Sequence, residues 1–172
     1  MVTKICILAL QKCPQMKVMK KIAKLLLLLF IAIQFFRPEK NINQGNHLAG
    51  FIDETNPPEN VKAILTDSCF DCHSNNTEYP WYNNIAPVSW WLSEHIKDAK
   101  ADLNLSDWNN YNKRQKDHKL EELIEVIEEA EMPLKEYTWV HQGARLSQEQ
   151  REAILEWARR TKALYGLGPL PR

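Results

Sequence analysis

The stretch S68-C-F-D-C-H-S-N75 contains the two cysteines of the part of the chain expected to fold, spaced by two residues and followed at once by His73. Four chemistries use such a pair. A structural zinc site needs four ligands, and two thiols with one imidazole leave it one short. Of the remaining histidines, His47, His95, His118 and His141, none falls at ordinary zinc-finger spacing. A thioredoxin-like dithiol belongs beside a βαβ framework, and no strand-period run is visible. A plain disulfide between Cys69 and Cys72 would close a very short loop and add little stability. The fourth option is a c-type haem. Two thiols at this spacing add to the two vinyl groups of the porphyrin, and the next residue, His73, is the candidate proximal iron ligand.

The chain has 172 residues, with 22 basic and 22 acidic side chains. The even balance conceals an asymmetry. Residues 1–36 hold six lysines and no Asp, Glu or Arg, so 16 basic residues face 22 acidic ones in the remainder, a formal charge of −6 there. An acidic body lacks the basic stripe of a nucleic-acid binder. Lys17, Lys20, Lys21 and Lys24 precede Leu25–Phe36, which is apolar except for Gln34. Those twelve residues would cover only about 18 Å as a helix, against about 30 Å of hydrocarbon.

The segment therefore reads as the apolar core of a signal peptide, or as an uncleaved anchor extended back to Ile22 with Lys24 snorkelling to the interface. The absence of a small-x-small cleavage site after it favours the anchor. Either way the lysines are expected inside and residue 37 onward outside the cytoplasm. The expected location is the bacterial cytoplasmic membrane with the haem domain on the periplasmic side; the alternative is a soluble periplasmic protein. Cys6 and Cys13 lie before the segment without lipobox context, and Met16 and Met19 are alternative starts.

Further along, residues 37–56 read as a polar linker and 57–172 as the haem domain. Asn56, Pro57 and Pro58 suit the start of a helix carrying Val61, Ile64 and Leu65 on one face, which delivers the chain into Cys69. Pro87 opens a second helix to about Asp102, with Val88, Trp91, Leu92, His95 and Ala99 at helical spacing. A third is expected over about 114–130, its Glu-rich face solvated. Residues 131–145 read as a loop. Ser147 and Gln150 form a capping box for a final helix, with Leu146 as its staple. The fold class is all-α.

Met132 is the one methionine in the expected haem domain and sits directly before Pro133. It is the candidate distal iron ligand, since a Met/His pair is a known axial set that raises the potential. Its bland alternative is a gap-filling core residue. His95 is the chief rival ligand, followed by His141; His118 lies among charges and reads as solvent-facing. Trp81 and Trp91, in an aromatic run just after the cysteines, are the candidate haem wall.

Taken together, CFDCHSNNTEYPWYNNIAPVSWWLSEHI, HKLEELIEVIEEAEMPLKEYT and LSQEQREAILEWA resemble the bacterial haem-binding domain family of small, membrane-anchored, c-type cytochrome-like proteins. The likeness covers about 57–158 and the short hydrophobic N-terminus; the first 15 residues fall outside it. It implies one haem c held covalently by Cys69 and Cys72 with His73 axial, in a small cytochrome c-like helical domain, and makes Met132 the natural distal ligand. The function expected is one-electron transfer with redox partner proteins outside the cytoplasm, not catalysis. The alternative is a haem-based sensor or peroxidase-like protein with an open or displaceable sixth position.

Overall fold

The structure, a computed structural model, describes residues 14–166. Cys6, Cys13, the alternative start region before Pro14 and the last six residues of the expected haem domain lie outside the described residues. Eight α-helices are present among them: α1 (Pro14–Ile33), α2 (Ala49–Thr55), α3 (Glu59–Ser68), α4 (Phe70–His73), α5 (Val88–Asp102), α6 (Lys113–Glu128), α7 (Lys135–Val140) and α8 (Gln148–Tyr165). Three 3-10 turns interrupt them, at Trp81–Asn84, Leu105–Asn110 and Gln142–Ala144. The all-α expectation holds.

The chain divides into two compact units. One comprises the chain up to Pro38 together with Trp81–Trp91; the other comprises Glu39–Pro80 and everything from Leu92 onward. In the first unit, Gln34, the polar exception in the apolar run, forms a reciprocal pair with Ala86. Its Nε2 donates to the Ala86 carbonyl (3.1 Å) and its Oε1 accepts from the Ala86 N–H (2.9 Å). The Trp90 indole N–H donates to the Phe36 carbonyl (2.6 Å). Helix α1 has 20 residues, but its four lysines dilute its apolar half. Among the described residues no helix is long and apolar enough to cross a membrane.

The second unit is built around aromatic side chains. Phe51 of α2 meets Trp108 edge-on at 5.2 Å, Trp157 of α8 at 6.0 Å and Phe70 of α4 at 6.4 Å. Perpendicular contacts suit rings whose faces are electron-rich and whose edges are electron-poor. A Cβ at Gly50 would lie 2.3 Å from the Asn109 side chain, which would have to shift to accommodate it. Beside this cluster, Lys116 of α6 is nearly buried; it pairs with Glu54 at 2.6 Å and lies over the Trp108 and Tyr165 rings. Tyr165 donates to the same carboxylate at 2.6 Å. Burial alone would raise the Glu54 pKa, but the hydrogen bonds from Lys116 and Tyr165 and the lysine charge outweigh it and hold the carboxyl below its ordinary value. A second apolar cluster gathers Ile64, Ile127, Leu146, Ile154 and Leu155 and joins α3, α6 and α8.

Local chemistry explains where several helices begin and end. Ser147 and Gln150 cap each other's backbone groups at the start of α8, as the sequence predicts; Asn112 and Gln115 do the same for α6, a second capping box that Asn in place of Ser or Thr concealed. Three expectations are corrected. The stretch 37–56 is not linker throughout, because α2 lies in it and Phe51 is 1 % exposed. Asn56 does not begin α3; it ends α2 in the left-handed region at φ 41°, a conformation its short polar side chain tolerates. The supposed loop after Met132 contains α7.

Candidate functional site

The Cys-x-x-Cys-His stretch is itself helical. The N–H of Cys72 donates to the Cys69 carbonyl at 3.2 Å and that of His73 to the same carbonyl at 2.9 Å. Residues i, i+3 and i+4 of a helix share a face, so Cys69, Cys72 and His73 all line one cavity of about 410 Å³. The residues between them point elsewhere. Phe70 is buried in the aromatic core. Asp71 caps the following segment, accepting from the Glu78 N–H at 2.9 Å through its carboxylate and from Thr77 Oγ1 at 2.6 Å through its carbonyl.

His73 has a defined tautomer. Its Nδ1 lies 3.0 Å from the Leu103 carbonyl, an acceptor only, so Nδ1 carries the proton and Nε2 keeps its lone pair. Burial pushes the His73 pKa below its ordinary value, against the opposing pull of the Leu103 and Ala99 backbone and of Asp102. The ring is thus held neutral and oriented, as a metal-ligating histidine is by a carbonyl behind it. Cys69 and Cys72 are free thiols. Burial first, then the neighbouring Cys72, raises the Cys69 pKa to about 12; burial and then Asp71 raise that of Cys72 to about 11. Both remain protonated near neutrality, the form that resists oxidation to a disulfide.

Met132 lines the same cavity. It arrives there through a helix-ending motif. After α6, Ala130 adopts the left-handed region at φ 58°. Its N–H donates to the Ile127 carbonyl at 3.3 Å, and the Glu131 N–H donates to that of Val126 at 3.0 Å. This is the Schellman pattern, made with alanine where glycine is usual, and it turns the chain so that Met132 follows directly. Beyond Pro133, Tyr137 of α7 also lines the cavity, and its hydroxyl donates to the Asp71 carboxylate at 2.9 Å. The segment carrying Met132 is thereby fastened to the segment carrying both cysteines. Nothing in the sequence spacing of Asp71 and Tyr137 announces that bond.

The rest of the lining is apolar at depth, with Phe51, Leu65, Leu123, Val126 and Ile154. Carboxylates and one cation complete it: Asp102, Glu122, Glu125, Glu129 and Glu131 against Lys119. Lys119 donates to the Asp102 carbonyl and lies 4.8 Å over the Tyr111 ring. Of the rival ligands, His95 lines the cavity. It sits one turn before Ala99 on α5, the helix whose end holds His73. His141 stacks on Tyr137 at 4.3 Å, His118 pairs with Glu122, and His47 Nδ1 meets Ser106 Oγ at 2.8 Å.

Of the candidate wall residues, Trp81 is 76 % exposed and meets Tyr82 edge-on at 5.9 Å, and Trp91 is 44 % exposed. Within the second unit the cavity draws aromatic surface from Phe51 and Tyr137.

Among the described residues no group of three or more Cys, His, Asp or Glu side chains is placed to hold a metal ion. A haem iron requires less of the protein, since the porphyrin supplies four nitrogens. The profile of the haem-binding domain matches residues 28–160. The chain belongs to the haem-binding domain family. No curated protein and no solved structure matches it. The donor set of this haem-binding domain fits its cofactor: two free thiols, an imidazole with Nε2 available, a thioether, and an apolar cavity within the size range of ligand sites, about 300–1,000 Å³.

Proposed function

We propose that this haem-binding domain is a monohaem c-type electron carrier, with haem c attached through Cys69 and Cys72, His73 as proximal ligand and Met132 as distal ligand. The observation that carries the reading is the convergence of all four side chains on one apolar cavity. When bound, the haem supplies a one-electron ferric/ferrous couple. The protein's part is to hold it. The thiols prevent its loss, the Leu103 carbonyl fixes the His73 ring, and the Tyr137–Asp71 bond keeps the Met132 segment in place. An apolar surround keeps water and its reorganisation away from the iron.

The carboxylates on the lining suit a redox partner that presents a basic patch. Exchange should then slow as salt screens the attraction. The apolar second half of α1, Leu25 to Ile31, is exposed throughout. It supports a membrane tether that keeps the carrier near its partners outside the cytoplasm; the alternative is a cleaved leader and a soluble periplasmic protein.

A haem-based sensor or peroxidase-like protein is the second reading, and His95 on the cavity lining is the observation that favours it. Absorption spectra of the ferric, ferrous and ferrous-plus-carbon-monoxide holoprotein separate the two. The carrier should show the weak long-wavelength ferric band of thioether ligation and ignore carbon monoxide. Met132→Ala should abolish that band and create a carbon monoxide binder. Rapid binding by the unaltered protein, or a Met132→Ala spectrum identical to it, would transfer the assignment to an open sixth position or to His95.

A further inference from the structure

Beyond helix α1, the first unit exposes apolar side chains from two stretches far apart in sequence. Phe35 and Phe36, at the end of α1, are 83 % and 71 % exposed. Trp81, Ile85, Val88 and Trp90 are exposed as well. These stretches are fixed to each other. Gln34 exchanges two hydrogen bonds with Ala86, and the Trp90 indole N–H is bound by the Phe36 carbonyl. The surface is therefore built, with a side-chain amide and an indole spent on joining its halves. It is also continuous along the chain with the exposed leucines of α1, which Lys17, Lys20, Lys21 and Lys24 precede.

Monomeric proteins seldom leave such a patch to water. Its composition selects the occupant. Phenylalanine and tryptophan collect at the level of lipid headgroups, where flat rings meet acyl chains and indole N–H groups find acceptors. An apolar helix segment with lysines before it and aromatics after it matches a lipid boundary and complements anionic headgroups. A protein partner would not explain the graded order from lysine to leucine to aromatic. We propose that Phe35, Phe36, Trp81, Ile85, Val88 and Trp90 form a lipid-facing surface that seats the first unit at the membrane interface. The inference rests on the tether reading and goes beyond it, since it recruits Trp81–Trp90, 45 residues past Phe36 at its nearest, to the bilayer.

The test uses the full-length holoprotein in vesicles of phosphatidylcholine and phosphatidylglycerol containing lipids with a photoactivatable diazirine, placed either near the headgroup or at the chain end. Cross-links are mapped by mass spectrometry. The shallow probe should label Phe35, Phe36 and Trp81–Trp90 at least several-fold more than Trp139, an equally exposed tryptophan of the second unit, and the deep probe should label Leu25–Phe30. Labelling of Leu25–Phe30 without Trp81–Trp90 would overturn this inference and leave the tether standing. Equal labelling of Trp139 and Trp81 would overturn it as non-specific adhesion. Failure of the holoprotein to float with the vesicles would overturn both the surface and the tether, and the absorption spectra would still decide the electron-carrier reading.

Discussion

The two sides of the cavity are held in different ways. The side with Cys69, Cys72 and His73 is one helical turn whose three side chains share a face because of i, i+3, i+4 geometry. The Leu103 carbonyl supports His73 from behind. The side with Met132 has no such local guarantee. Its placement depends on a left-handed alanine that reverses the chain and on a tyrosine reaching back to Asp71. The comparison teaches that the face with Cys69, Cys72 and His73 is written in local sequence, while the placement of Met132 is a product of the packed domain and is the easier to perturb.

The sharpest way to break the comparison is to remove the attachment. With Cys69→Ala and Cys72→Ala together, haem that survives denaturation should be lost completely from protein made beside attachment machinery, read by a haem stain on a denaturing gel. A band that persists would show that these thiols do not carry the group. The next largest effect falls on the Met132 side. Tyr137→Phe keeps the ring but deletes the hydrogen bond to the Asp71 carboxylate, an interaction worth about 1.5 kcal/mol. Apparent carbon monoxide affinity of the ferrous protein should rise about tenfold, with a weaker thioether band, while covalent haem content is unchanged. If neither moves, the Tyr137–Asp71 bond does not hold Met132 and the two sides are held more alike.

The smallest effect sharpens the comparison rather than breaking it. At φ 58°, Ala130 carries a strain of about 1 kcal/mol that glycine lacks. Ala130→Gly should raise the free energy of unfolding by up to about 1 kcal/mol in a urea titration and leave the haem spectra alone. A decrease in stability would mean that the turn into Met132 is not made as described.

Much of this was legible beforehand, for reasons that can be stated residue by residue. The helix from Val88 to Asp102 and the capped helix from Gln148 follow from periodicity and from Ser147 with Gln150, which are local signals. Helix α2 was not legible, because seven residues are too few to show a period.

By itself the sequence determined the all-α class and the candidacies of Cys69, Cys72, His73 and Met132. Each depends on chemistry within a few residues, where motif spacing or residue uniqueness is sufficient. Only the tertiary structure decided that Cys69, Cys72, His73 and Met132 line one cavity, that Leu103 fixes the His73 ring, and that Trp90 is joined to Phe36. These are contacts between residues tens of positions apart, and the packing that creates them is a property of the folded chain as a whole.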